Sequence, residues 1–142
     1  MFSKILVAVD GSDISKIAFH RALDLAKQFN AELHTVSIVE SGAMSPGTYD
    51  SNKEMISQHT EKTCRDYLTQ LVEEAKQNDV MITTHIDVGH AGNAIIDMSS
   101  SLKCDLIVMG SRGKGVIDRL ILGSVSSHVV NNAKISVLVI KN

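Results

Sequence analysis

The first structural element of the chain is an unbroken apolar run, Lys4-Ile5-Leu6-Val7-Ala8-Val9, which ends at Asp10. Consecutive apolar residues rich in β-branched side chains indicate a strand buried on both faces, as in a parallel sheet. A second run of this kind, Asp105-Leu106-Ile107-Val108-Met109, lies far along the chain. Two such strands predict an α/β fold with an open parallel sheet and helices on both of its faces.

Around these two runs, strand-like and helix-like patterns alternate. The predicted strands are residues 4–9, 33–39, 82–88, 105–109 and 136–140, and the helices between them are predicted over residues 13–30, 56–76, 92–98 and 124–132. This alternation is typical of a doubly wound sheet. In the third strand polar and apolar residues alternate, which predicts a position near the sheet edge.

Two further patterns in this arrangement concern a helix face and a loop. In the first helix, a repeat of three to four residues predicts a buried face composed of Ile14, Ile17, Ala18, Ala22, Leu25 and Phe29. Residues 40–50 contain the only proline of the chain and two glycines, which predicts a loop. A lid over a ligand is one hypothesis for this loop.

Length and composition predict a single domain over residues 1–142. The formal charge of -2 provides no positive field that would attract nucleic acid or anionic lipid. The first apolar run is too short for a signal sequence or a membrane span, so we expect a cytoplasmic protein with neither a membrane nor a nucleic-acid partner. Cys64 and Cys104 lack metal-ligand spacing and are interpreted as core residues.

The most informative segment for function is Gly110-Ser111-Arg112-Gly113-Lys114-Gly115, continuing to Gly123-Ser124-Val125-Ser126, between a predicted strand and a predicted helix. Glycines let backbone amides approach an anion closely, and the helix N-terminus adds partial positive charge. Hydroxyl groups of Ser124 and Ser126 are expected to add donors. Arg112 and Lys114 either neutralise phosphate charge or are exposed loop cations.

Two common phosphate-binding patterns do not fit this segment. A Walker loop requires Lys and then Ser or Thr, but Val116 and Ile117 follow Gly115. A dinucleotide-binding GxGxxG also fails, because the position of the third glycine is occupied by Asp118.

The spacing of Gly110, Gly113, Gly123 and Ser124 resembles the signature of the ATP-binding branch of the universal stress protein family. The resemblance extends from residues 4–12 through 105–110 to 137–140. It implies a five-stranded parallel sheet in the order 3-2-1-4-5, an adenine nucleotide α-hydrolase-like fold. It also implies ATP as the ligand, with Mg²⁺ or Mn²⁺.

The same resemblance implies a set of binding residues. Those near the adenosine are Ala8, Val9, Asp10, Ile38 and Met109, and those near the phosphates are Gly110, Gly113, Gly123, Ser124, Val125 and Ser126. Arg112 joins the predicted binding residues because of its charge, not because of the resemblance. An alternative for Asp10 is a structural turn residue at the start of the first helix.

Three functions remain open at this stage. The first is a regulatory protein of the stress response in which ATP acts as a signal. The second is a slow ATP hydrolase that uses the same pocket, although the six histidines form no recognisable catalytic arrangement. The third is a dimerisation module without nucleotide.

A homodimer is expected in each case. The last strand, with Val137, Leu138, Val139 and Ile140, would expose an apolar sheet edge in a monomer. The resemblance implies a two-fold dimer through this edge.

Overall fold

The computed structural model describes residues 1–40, 51–113 and 121–141, with backbone only for residues 51–59. The possible lid over residues 41–50 therefore lies outside the described residues, as do Lys114 and Gly115 of the glycine-rich segment. In chain order the elements are β1 Lys4–Ala8, α1 Asp13–Phe29, β2 Glu32–Val39, α2 Ser51–Gln77, β3 Ile82–Val88, α3 Ala91–Ser101, β4 Leu106–Gly110, α4 Ser124–Asn132 and β5 Ser136–Ile140.

The five strands form one parallel sheet in the order β3-β2-β1-β4-β5, which confirms the predicted order. The two most apolar runs lie side by side at its centre, where Val7 is paired with Val108. On the other side of β1, Ala8 is paired with Val36 of β2. The strand β3, in which polar and apolar residues alternate, lies at an edge of the sheet, as this alternation predicted.

Helices cover both faces of the sheet. Alternate residues of the central strands belong to different clusters, because neighbouring side chains in a strand point to opposite faces. Ile5, Val7 and Val108 pack with α1 and α2, whereas Leu6 and Ile107 pack with α3 and α4. The core therefore has two layers, one on each face of the sheet.

The first helix shows where the apolar pattern misplaced a side chain. Ile17 is 36% exposed, whereas Phe19 and Leu23, which were not assigned to the buried face, are 0% and 4% exposed. The prediction for Ile17 was wrong, because a run such as Ile17-Ala18-Phe19 is apolar through most of a turn and does not show which side faces the sheet.

The cysteine interpretation holds for one of the two residues. Cys104 is buried, and burial raises the pKa of its thiol to about 11. Cys64 is only half-buried on α2, and its sulfur accepts a hydrogen bond from the Ser37 hydroxyl. Among the helices that the structure describes, none has the length and apolar character needed to cross a membrane.

Candidate functional site

The candidate site is a cavity of about 360 Å³ at the carboxyl ends of the central strands. After β1 the chain enters α1 on one face, and after β4 it enters α4 on the other face. In an open α/β sheet such a reversal leaves a crevice between the two strands, and ligands bind there. The cavity spans the ends of three neighbouring strands, β2, β1 and β4.

The structure brings all the site residues predicted from the sequence together around this cavity. They are Ala8, Val9, Asp10, Ile38, Met109, Gly110, Arg112, Gly113, Gly123, Ser124, Val125 and Ser126. Five lining residues were missed, namely Ser15, Val36, Glu40, Ala91 and Ile95. Ala91 and Ile95 belong to α3, and nothing in the sequence indicated that this helix borders the cavity.

Asp10 has the contacts of a turn residue and a position on the cavity wall. Its Oδ1 accepts hydrogen bonds from the backbone amide of Ser12, at 2.9 Å, and from the Ser12 hydroxyl. Ser12 in turn is the N-cap of α1. Asp10 is therefore a structural turn residue, and it also lines the cavity.

The opposite wall of the cavity approaches Asp10 closely. A Cβ atom on Gly113 would lie 3.2 Å from Asp10 Oδ2, which is tighter than an ordinary contact. A Cβ atom on Gly123 would lie 3.1 Å from the Cα of Arg112, inside the protein's own backbone. Gly113 therefore lets the segment after β4 approach Asp10, and Gly123 lets the start of α4 pack against that segment.

The N-terminus of α4 borders the cavity and has no side-chain cap. Its N-cap is Gly123, and the first intrahelical bond is donated by the Ser127 amide to the Gly123 carbonyl. The amides of Ser124, Val125 and Ser126 therefore have no intrahelical acceptor. Since all three residues line the cavity, this end of it offers backbone donors and the positive end of a helix dipole.

The Ser126 hydroxyl has a different role from the one expected. It donates to the Ser111 carbonyl at 2.6 Å and also lies 3.1 Å from the Gly123 carbonyl, and Ser126 is only 2% exposed. A hydroxyl has a single proton, so Ser126 Oγ is occupied in joining α4 to the segment after β4. Its backbone amide remains a donor at the cavity.

Arg112 contributes positive charge to the same end. One of its guanidinium nitrogens, Nη1, is buried and has no hydrogen-bond partner among the residues that the structure describes. A buried cationic donor without an acceptor is unfavourable. Because this nitrogen is buried, Arg112 is not a fully exposed loop cation.

One wall of the cavity is apolar. Its wall consists of side chains from the strands, from α3 and from the first turn of α4, namely Ala8, Val36, Ile38, Ile95, Met109 and Val125. Such a surface suits a flat, weakly polar ring system. No group of three metal-binding side chains occurs in the part of the chain that the structure describes.

A second cluster of titratable groups lies away from the cavity, near the amino end of β2. His34 is 5% exposed, and its ring joins Glu32 Oε1 at 2.7 Å and the His85 ring at 2.9 Å. The hydrogen bond with His34 lowers the pKa of Glu32, while burial and the neighbouring His34 lower the pKa of His85. This cluster joins the edge strand β3 to β2.

The sheet order and the cavity at the reversal point define an open doubly wound α/β domain, a class that holds small ligands beyond the carboxyl ends of its strands. The model of the universal stress protein family matches residues 1–141. The chain belongs to this family, as its glycine spacing indicated.

Individual relatives and solved structures agree with this assignment. Universal stress protein MJ0531 of Methanocaldococcus jannaschii is 33% identical over 99% of this chain and 83% of its own length. The structure of universal stress protein UspA from Lactobacillus plantarum superposes with a TM-score of 0.91 at 28% identity, covering 98% of this chain and 97% of that one. A universal stress protein solved in complex with cAMP has a TM-score of 0.75 at 25% identity, covering 98% of this chain and 97% of that one.

Proposed function

We propose that this protein binds ATP in the cavity and acts as a nucleotide-dependent regulator in the response to stress. The observation that carries the proposal is the N-terminus of α4, where backbone amides without an intrahelical acceptor border the cavity together with Arg112. Cationic and amide donors without acceptors, gathered at one end of a cavity, favour an anionic ligand group.

The shape of the cavity supports a nucleotide rather than a free anion. The apolar wall at the β2 end, with Ile38, suits an adenine ring, and the glycine and serine end after β4 suits phosphates. Asp10 lies between them, since β1 is the middle strand of the three. A carboxylate there is suited to accept a hydrogen bond from a ribose hydroxyl.

The proposal includes a divalent cation, Mg²⁺ or Mn²⁺. Mg²⁺ is usually held by one or two carboxylates together with substrate phosphates, not by a complete protein cage. Asp10 fits this requirement, because its Oδ2 faces the turn at Gly113. The structure solved with cAMP supports an adenine nucleotide as the ligand class.

The first test is to identify what the purified protein carries. The protein is denatured, and the supernatant is separated by ion-exchange chromatography. Released ATP is the expected result, whereas ADP alone would indicate a slow hydrolase. If nothing is released, ATP is titrated into the protein with Mg²⁺ by calorimetry, and no heat at millimolar ATP would overturn the proposal in favour of a dimerisation module.

A matched pair of arginine variants tests the site itself. Arg112→Ala is expected to weaken ATP binding at least tenfold, because a charge-assisted hydrogen bond is lost. Arg21→Ala removes the same charge from an exposed position on α1 and should leave the affinity unchanged. Equal affinities for the two variants would remove Arg112 from the site.

We also propose that two copies associate through β5. This strand is an edge of the sheet, and its Leu138 side chain is 36% exposed. An apolar edge of this kind is usually covered in proteins. Sedimentation equilibrium at micromolar concentration should give the mass of a dimer for the wild-type protein. Leu138→Lys should shift the measured mass toward that of the monomer. A wild-type protein with the mass of a monomer would contradict the proposal.

A further inference from the structure

The charged residues around the cavity are distributed unevenly. The lining residues that the structure describes include three ionisable side chains, Asp10, Glu40 and Arg112. Arg112 follows β4, Asp10 follows β1 and Glu40 follows β2, and β1 lies between the other two strands. Two strand spacings, about 10 Å, therefore separate the cationic end from the end with Glu40.

Glu40 differs from Asp10 in its surroundings. Asp10 Oδ1 is occupied by two hydrogen bonds from Ser12. Glu40 is exposed, and in residues 1–40, 51–113 and 121–141 it forms neither a hydrogen bond nor an ion pair. Among the described residues, none competes with a ligand in the cavity for the Glu40 carboxylate.

This charge distribution orients an anionic ligand. A triphosphate is attracted toward Arg112 and the α4 amides and is repelled by the Glu40 carboxylate. The base is thus directed to the β2 end, where Ile38 and Glu40 line the wall. An ionised carboxylate only accepts hydrogen bonds, so a base edge that offers an N–H donor is favoured there.

We propose that Glu40 accepts a hydrogen bond from the exocyclic amine of the adenine base and is a specificity-determining residue of the cavity. Hypoxanthine carries a carbonyl oxygen in place of this amine, and its donor on this edge is the adjacent N1–H. A carboxylate placed opposite the amine position therefore faces an acceptor in hypoxanthine, and two acceptors facing each other repel. The inference rests on the proposed binding of ATP and adds the residue that distinguishes ATP from inosine triphosphate.

Calorimetric titration with ATP and with inosine triphosphate tests this role in three proteins, all in the presence of Mg²⁺. The wild type should prefer ATP about tenfold, the value of one hydrogen bond to a charged group. Glu40→Gln should reduce the preference to about twofold or less, because an amide can present either an acceptor or a donor. Glu73→Gln removes the same charge from an exposed position on α2 and should keep the wild-type preference.

The outcomes separate this inference from the proposed function. If the wild type binds ATP but Glu40→Gln keeps the wild-type preference, or weakens both nucleotides equally, the role of Glu40 is overturned while ATP binding stands. If the wild type binds both nucleotides equally, the cavity does not select the amine, and the inference also fails. If the wild type binds neither, the proposed function itself fails.

Discussion

Within residues 1–40, 51–113 and 121–141, one guanidinium nitrogen of Arg112 is buried without a hydrogen-bond partner. In the ligand-free protein such a group is unfavourable, because desolvation of the cation is not offset by an acceptor. Functional sites often contain residues of this kind, which stabilise the bound state at the expense of the free state. We therefore expect Arg112 to lower the stability of the folded protein while it increases the affinity for an anionic ligand.

A variant of Arg112 should reveal this opposition. Arg112→Met keeps much of the side-chain volume and removes the charge, so we expect the ligand-free protein to melt at the same temperature or a few degrees higher. ATP affinity should fall at least tenfold in the same variant. Differential scanning calorimetry and a titration check both effects; a large loss of thermal stability would show that Arg112 is mainly structural.

At the scale of elements, the junction between β4 and α4 depends on Ser126. Its hydroxyl donates to the Ser111 carbonyl, which also accepts from the Gly123 amide at 2.7 Å. These bonds hold the start of α4 against the segment after β4. Ser124, two residues earlier, is exposed and borders the same cavity.

The two serines should therefore respond differently to replacement by alanine. Ser126→Ala is expected to lower the free energy of unfolding by about 1–2 kcal/mol, because a fully buried hydrogen bond is lost. Ser124→Ala should change the free energy of unfolding by less than about 0.5 kcal/mol. The affinity for ATP should fall in both serine variants. Urea unfolding gives the stabilities, and similar losses for the two variants would contradict this division of roles.

A second contact between elements joins α3 to α4. A Cβ atom on Gly92 would lie 2.5 Å from Cδ2 of His128 and 3.2 Å from its Cβ, so the whole imidazole side chain packs over this glycine. His128 Nε2 also lies 2.7 Å from Asn93 Oδ1. The close approach of the two helices therefore requires the absence of a side chain at position 92.

Gly92→Ala should be destabilising although alanine is the better helix former. Overpacking is expected to cost about 1–3 kcal/mol, more than the gain of up to about 1 kcal/mol in helix propensity. The double variant Gly92→Ala with His128→Ala should recover part of this loss, because it opens space for the new methyl group. Urea unfolding of both variants measures the coupling, and strictly additive effects would argue against the contact.

At the scale of the whole molecule, pH acts on the joint between β2 and β3. The pKa of His85 is lowered from 6.5, first by burial and then by the neighbouring His34. The unfolded chain therefore takes up this proton at a higher pH than the folded protein does. The contribution of neutral His85 to the stability of the folded protein is complete above pH 6.5. It is lost as pH falls through the lowered pKa of His85 in the folded state.

Unfolding by urea between pH 8 and pH 5 should show this loss. For one proton, the free energy of unfolding changes by at most about 1.4 kcal/mol per pH unit. His85→Gln lacks the titrating ring, so its free energy of unfolding should fall less steeply than that of the wild type below pH 6.5. Parallel curves for the two proteins would show that His85 does not contribute to the acid sensitivity.

The sequence alone was sufficient for the fold and for much of the site. Continuous apolar runs identified β1 and β4 as central strands, because only strands covered on both faces exclude polar residues so completely. The spacing of Gly110, Gly113 and Gly123 identified the family, since close backbone approach requires residues without side chains. Both features are local, and local patterns can be read directly from the chain.

Only the tertiary structure decided which neighbours each side chain has. Several features depend on residues distant in the chain, namely the exposure of Ile17, the burial of Phe19, the partner of the Ser126 hydroxyl, the burial of Arg112 Nη1 and the place of Glu40 on the cavity wall. Burial and hydrogen bonding are properties of a packed arrangement, and a one-dimensional pattern does not contain the distances that determine them.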